Sequence, residues 1–299
     1  MTKEQLFMQL CQQLDRQDLF FGHAVIDGED EAMMIMMYIF GETVTEILQS
    51  GDKIVQPLVV NKAQRLLNKR IISKQPMAYI IGEVKFAGLK FKIDQRALVP
   101  RSPIAELILN GFKPWLNLQN VNSALDLCTG SGCIGIALAH YYKHISVDLA
   151  DISQKALDLA SENIEFHQLK SRVKTISSDL FVNIKKTYDL ILTNPPYVGN
   201  DEYQQLPQEY KNEPKLGLVS DNNGLEIPVK ILYDAAKYLN DGGFLFLEVG
   251  YSDELLQATF EQVEFNWIDF SQGGCGVCVF SKEKLLEYHD YFKNYLEAS

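Results

Sequence analysis

The sequence predicts an α/β fold in which a seven-stranded, mostly parallel sheet follows a separate helical domain, and three observations predict it. From Ser123 onward, short apolar runs alternate with helical patterns, the signature of βαβ units. Before Ser73 the apolar spacing is helical. The 299 residues also exceed what one compact core uses, since domains cluster at roughly 100 to 200 residues. The expected division is a helical domain over 1–76, a β-hairpin linker over 77–99 and the sheet domain over 100–299.

Leu6, Leu10 and Leu14, then Leu58, Ala63, Leu66 and Leu67, carry the helical period, punctuated by Gly22, Gly41 and Gly51. His23 in this region is expected to be a structural or surface residue, far from the strand tips. Tyr79-Ile80-Ile81 and Lys90-Phe91-Lys92-Ile93 flank Gly82 and Gly88 and suggest a hairpin. Val99-Pro100-Arg101-Ser102-Pro103 then opens a helix, with Ser102 as its N-cap and Pro103 in its first turn. Strands are expected at Ala124–Leu127, Ile145–Ala150, Val173–Ile176, Leu190–Thr193, Gly243–Val249, Glu264–Asp269 and Val277–Ser281. The turn Gln272-Gly273-Gly274 is too short for a right-handed crossover, so the last strand should run antiparallel.

Composition narrows the class. At 46% hydrophobic and 22% charged the chain is ordinary globular protein. Its longest apolar stretch, Ala32 to Phe40, falls far short of the ~20 residues of a membrane span, so a soluble protein without membrane association is expected. The five cysteines, Cys11, Cys128, Cys133, Cys275 and Cys278, are an odd number in a chain with no secretory leader, which fits reduced thiols in the cytoplasm. Cys275 and Cys278 have no second pair or histidine cluster to complete a zinc site, so packing is expected of them and no metal. The net charge of -11 argues against nonspecific duplex binding, which draws on lysine and arginine. An acidic surface suits a basic protein partner.

Leu125-Asp126-Leu127-Cys128-Thr129-Gly130-Ser131-Gly132-Cys133-Ile134-Gly135 reads as a strand, a glycine turn and the start of a helix. Glycine lets backbone approach a ligand, and a helix N-terminus offers free N–H groups to it. Asp126, Thr129, Gly130 and Gly132 are therefore candidate cofactor contacts. Asp151 ends the second strand, 21 residues after Gly130, where a carboxylate can accept both ribose hydroxyls of an adenosine ligand. Asp179, after the third strand, can accept from an adenine amino group or serve as a helix cap or loop acid. This pattern alone does not separate NAD from S-adenosylmethionine, nor either from a tight turn without ligand.

Asp189-Leu190-Ile191-Leu192-Thr193 is a buried-strand pattern that Asn194-Pro195-Pro196-Tyr197 stops. Two prolines donate no N–H, so the tip becomes an edge of acceptors. The Asn194 side-chain oxygen and the Pro195 carbonyl can each hold one N–H of a planar nitrogen and aim it at a sulfonium methyl group. As the nitrogen turns cationic its N–H bonds donate more strongly, so the contact tightens in the transition state. Tyr197 covers the flat substrate group. After the fourth strand of a sheet that already carries Gly130, Asp151 and Asp179, the segment points to S-adenosylmethionine rather than NAD.

These residues resemble the glutamine-N5 methyltransferases, a family that methylates a glutamine side-chain amide in translation proteins. The resemblance implies a Rossmann-like class I methyltransferase domain, with S-adenosylmethionine beside Gly130, Asp151, Asp179 and Asn194 and the glutamine held by Asn194 through Tyr197. Where the release-factor branch continues Pro-Arg with Pro-Glu-Thr, this chain has Ser102-Pro103-Ile104 after Pro100-Arg101. That continuation is similar to the branch acting on large-subunit ribosomal protein three. Phe21-Gly22-His23, Leu206-Pro207-Gln208-Glu209-Tyr210, Glu213-Pro214-Lys215-Leu216-Gly217-Leu218 and Trp267-Ile268-Asp269-Phe270 resemble the same branch. Ser220-Asp221-Asn222-Asn223-Gly224 departs from an expected Gly-x-Asp-Gly turn, although Asn tolerates positive φ. Arg101 either orients a substrate carbonyl or carboxylate or makes a hydrogen bond at the domain junction. The helical domain is expected to recognise the protein substrate. Release factors are the alternative substrate; N6-adenine methylation and a noncatalytic ribosome-binding module are more distant ones.

Overall fold

The computed structural model describes residues 1–23, 25–271 and 273–298. Five helices open the chain: α1 (Lys3–Asp15), α2 (Gly28–Phe40), α3 (Val44–Gln49), α4 (Pro57–Ser73) and α5 (Met77–Ile81). Their ends follow from local sequence. Thr2 and Gln5 form a reciprocal capping box on α1, Asp27 accepts from the Asp30 N–H to cap α2, and Pro57 opens α4. Leu6, Leu10, Leu14, Ile35, Ala63 and Leu67 share one core. Leu58 is exposed instead, because five residues carry it about 140° around the helix from Ala63.

The linking hairpin pairs β1 (Glu83–Phe86) with β2 (Leu89–Lys92). Ala87 and Gly88, both at positive φ, form its two-residue turn. The first strand expected here, at Tyr79-Ile80-Ile81, is instead the end of α5, which Gly82 stops at φ +83°. Three apolar residues before a glycine fit a short helix or a short strand equally. Burial decides it: Met77 packs into the helical core while Ala78 and Tyr79 pack into the core of the sheet.

The seven-stranded sheet comprises β3 (Ser123–Leu127), β4 (Ser146–Asp151), β5 (Val173–Ser177), β6 (Tyr188–Thr193), β7 (Leu239–Glu248), β8 (Asn266–Trp267) and β9 (Val277–Ser281). Its order is β5-β4-β3-β6-β7-β9-β8. The first five strands are parallel, and β9 runs antiparallel to both β7 and β8. The last strand thus has the expected direction, although Gln272 of the expected turn lies outside the described residues. The strand expected over Glu264–Asp269 shortens to Asn266–Trp267 at the sheet edge, where it pairs with one neighbour only.

Helices cover both faces, as a parallel sheet requires. α6 (Ile104–Asn110), α7 (Cys133–Tyr141) and α8 (Gln154–Phe166) pack on the face bearing Val147, Leu190 and Leu192. The loop after β6 carries α9 (Asn200–Gln205) and α10 (Gln208–Lys211). α11 (Glu226–Asp234), α12 (Asp253–Thr259), α13 (Lys282–Glu287) and α14 (His289–Ala298) cover the face bearing Leu125, Ile191 and Leu245. Pro103, rather than Ser102, is the N-cap of α6. The Ser102 hydroxyl still accepts from the Ile104 N–H at 3.2 Å but donates to the buried Glu248 carboxylate, which anchors it one position ahead of the helix.

Candidate active site

β3 and β6 are neighbours although the chain visits β4 and β5 between them. Such a reversal opens a crevice at the carboxyl ends of the strands. A cleft of about 2040 Å³ lies there, lined by the glycine loop, the tips of β4 and β6, and Phe20 and Gly22 from the helical region.

The glycine loop is held from below. Asp126 Oδ2 accepts from Thr129 Oγ1 at 2.5 Å and from the Gly135 N–H at 2.8 Å. Asp126 Oδ1 is buried with no hydrogen-bond partner among the described residues, and burial pushes this carboxyl up to about 7. Asn163 Nδ2 donates to the Ser131 carbonyl at 2.9 Å. Gly130 and Gly132 turn the chain at φ +56° and +82°. Gly135 matters for packing instead. A Cβ there would stand 2.3 Å from Leu149 Cδ2, so glycine lets α7 lie directly on the sheet.

Asp151 ends β4 beside this loop. Its two oxygens accept the Gly130 and Ser153 N–H groups, each at 2.8 Å, and burial raises its pKa against those bonds. A carboxylate has about four lone-pair directions, and the N–H groups of Gly130, Ser153 and Ile152 do not fill them all. Asp179 lies exposed on the cleft wall beyond β5. Thr129, Gly130, Asp151 and Asp179 thus line one crevice, whereas Asp126 is buried beneath the glycine loop and, like Gly132, shapes that loop without lining the cleft.

At the tip of β6, Thr193 Oγ1 donates to the Leu127 carbonyl at 2.8 Å and locks the two strand ends together. Asn194 is half-buried, Pro195 and Pro196 are buried, and all line the cleft with Tyr197. Among the described residues, no hydrogen bond engages the Asn194 side chain or the Pro195 carbonyl. The following loop has no slack. Val198 bridges to Val219, and Ser252 Oγ donates to the Tyr197 carbonyl at 3.0 Å. A Cβ on Gly250 would stand 2.8 Å from the Tyr197 ring, and one on Gly224 2.1 Å from its carbonyl oxygen. Asn222, Asn223 and Gly224 all have positive φ, so the departure from Gly-x-Asp-Gly still makes a left-handed turn. Burial, then the nearby Glu248, raises the Tyr197 phenol pKa and keeps it protonated.

Arg101 reaches the cleft with its guanidinium committed. Nη1 donates to Glu213 Oε1 at 2.8 Å and Nη2 to Oε2 at 3.3 Å, while the group lies 5.2 Å over the Tyr210 ring. His23 is not at the surface: it is buried, with Nε2 2.8 Å from Glu213 Oε1. Burial disfavours the Glu213 carboxylate, but Arg101 and His23 outweigh it and hold its pKa below the usual range. Four residues earlier, Glu209 accepts from Arg70 Nη1 at 3.2 Å and from the Phe20 N–H at 3.1 Å, and Arg70 Nε donates to Glu31 at 2.8 Å. The loop that leaves Tyr197 is thereby bolted to the helical region.

Sequence reasoning missed Glu213, Glu209 and Glu248. The first two stand within the segments 206–210 and 213–218, but nothing local marks them as buried ion pairs. Glu248 was legible as a charged residue ending an otherwise apolar strand.

Two known proteins similar to this chain in sequence share one description. A family model described as the methyltransferase small domain matches residues 106–210. The chain is 38% identical to a ribosomal protein uL3 glutamine methyltransferase of Francisella tularensis, over 94% of this chain and 90% of that protein. It is 44% identical to the protein of the same description from Xylella fastidiosa, over 91% and 87%. Among solved structures it resembles the hMettl16 catalytic domain in complex with MAT2A 3'UTR hairpin 6, with a TM-score of 0.53 and 14% identity over 76% of this chain and 82% of that one. That likeness is one of fold.

Proposed function

The chain belongs to the ribosomal protein uL3 glutamine methyltransferase family, and on that footing we propose that it methylates the side-chain amide nitrogen, N5, of a glutamine in uL3 using S-adenosylmethionine. One observation carries the reading: Asn194 and Pro195 line the cleft, and no described group of the protein hydrogen-bonds their oxygens. A carboxamide has two N–H groups to give them. Its lone pair is conjugated, so the amide is a poor nucleophile until those acceptors hold it and favour the charge that grows on nitrogen. Holding the nitrogen in line contributes a further share of the rate. Tyr197, fixed against Gly250, covers the amide plane and excludes water.

The residues present suit the cofactor. Asp151 and the carboxylate of Asp179 line the cleft as acceptors, Asp126 braces the glycine loop from beneath, and that loop opens α7 toward them. Thr129, Gly130 and Gly132 shape this loop, and Asn194 borders the cleft. S-adenosylmethionine supplies an electrophilic methyl group on a sulfonium. Arg101, through Glu213, fixes the substrate side of the cleft rather than offering a free cation. The helical region lends Phe20 and Gly22 to the cleft wall, which supports a role for it in recognising the protein substrate. A chain of net charge -11 suits a basic partner met in the cytoplasm. No helix among the described residues is long and apolar enough to cross a membrane.

Incubating the purified chain with heavy-methyl cofactor and either uL3 or release factors, followed by mass spectrometry, tests the substrate. One heavy methyl group on uL3 is the expected result. Label on release factors alone contradicts it.

A further inference from the structure

Glu248 ends β7 one step beyond the register pair Thr193–Leu247. It therefore stands beside Asn194 on the neighbouring parallel strand, where lateral spacing is about 4.8 Å. The residue is 4% exposed and lines the cleft. Oε2 accepts from the Ser102 hydroxyl, and among the described residues nothing donates to Oε1. Burying a carboxylate is costly where a neutral residue could fill the space, and Leu245, Phe246 and Leu247 fill the preceding positions of the strand.

We propose that Glu248 accepts the proton that the methylated carboxamide nitrogen must lose. This rests on the glutamine reading above. As the N–CH3 bond forms, the S–CH3 bond breaks with its electron pair remaining on sulfur, and the positive charge passes to nitrogen. As that charge grows, one N–H bond breaks in the same step, its pair restores amide conjugation, and the proton goes to Glu248 Oε1, so the carboxylate acts in the transition state for methyl transfer. Water at the cleft mouth returns that proton to solvent and regenerates the carboxylate. The neutral oxygens of Asn194 and Pro195 orient the N–H groups but are too weakly basic to keep a proton; a carboxylate one strand away is not.

The surroundings suit this role. Arg101 and Ser102 face Glu248 from the segment before α6, Tyr197 from the loop after β6, and Cys275 from the segment before β9. Burial pushes the carboxyl up to about 7, with the Ser102 hydrogen bond and Arg101 acting against it. A proton acceptor works best when poised near the working pH.

Steady-state methylation of uL3 by the full chain across neutral pH tests the assignment. For wild type, kcat should fall about tenfold per pH unit below an inflection near 7 and level off above it. Glu248→Gln should lower the plateau about 100-fold and flatten the acid limb, with both KM values and the melting temperature close to wild type. Infrared difference spectra of the protein across neutrality should lose one carboxylic acid band in the same variant. Ser102→Ala should shift the limb to higher pH, since its hydrogen bond lowers the carboxyl pKa, and this holds even if Glu248→Gln folds poorly. A wild-type rate with an intact acid limb in Glu248→Gln, or an unmoved limb in Ser102→Ala, overturns the proton assignment alone. Failure of wild type to label any glutamine of uL3 overturns the function beneath it.

Discussion

Arg101 and His23 meet on one carboxylate: Glu213 Oε1 lies 2.8 Å from Arg101 Nη1 and 2.8 Å from His23 Nε2. The Glu213 side chain has no exposed surface. The segment before α6, the helical region and the loop behind Tyr197 are therefore joined through a single charge.

Arg101→Ala leaves Glu213 buried with His23 as its remaining partner. Breaking a buried pair from one side costs about 3 kcal/mol or more, so urea unfolding should show a loss of that order. Fluorescence of the unfolding transition measures it, and a loss near zero would mean that the pair is solvated in solution.

Asn194→Ala removes one of the two acceptors at the tip of β6. Loss of a preorganised group acting on developing charge lowers kcat about 100- to 1000-fold. Calorimetric titration with S-adenosylhomocysteine should find cofactor affinity little changed, because Asp151 and the glycine loop remain. A defect confined to cofactor binding would assign Asn194 a different role.

Asp126 sits near 7 in the fold, against about 3.9 in an unfolded chain. The folded state thus holds this proton more tightly, so the contribution is full below about pH 4 and is lost as pH rises through 7. The stability of wild type relative to Asp126→Asn should therefore increase as pH falls from above neutrality toward the unfolded value, by a few kcal/mol at most. Urea midpoints at a series of pH values check this; a pH-independent difference would contradict it.

Gly135→Ala places a methyl group 2.3 Å from Leu149 Cδ2 and 3.0 Å from Asp126 Cβ. Overpacking of this kind costs about 1 to 3 kcal/mol, and α7 must lift from β3 and β4 to relieve it. Thermal unfolding should fall accordingly, and cofactor affinity with it.

The parts legible in the sequence share one property: their signal is local. Leu190 to Thr193 followed by two prolines specifies a buried strand and its stop, and Gly130 to Gly135 specifies a turn and a close-packed helix. Positive φ at Asn222 and Asn223 shows why the Ser220–Gly224 segment tolerates its departure from the family pattern. What escaped depends on residues far apart in the chain. Glu213 acquires its meaning from Arg101, 112 residues away, and only Glu213 selects the structural reading of His23 over the surface one. Tyr79-Ile80-Ile81 fits helix and strand alike, and only packing between the two cores selects the helix.

The most direct measurement of the central claim follows the new bond itself. uL3 carrying 15N in its glutamine side-chain amides is incubated with 13C-methyl cofactor, and one-bond 13C–15N coupling is recorded by NMR. The expected result is coupling at a single glutamine side-chain nitrogen with wild type and its near absence with Asn194→Ala. A methyl group on any other atom of uL3, or equal coupling with Asn194→Ala, would contradict the claim that the two oxygens of Asn194 and Pro195 hold the amide for methylation.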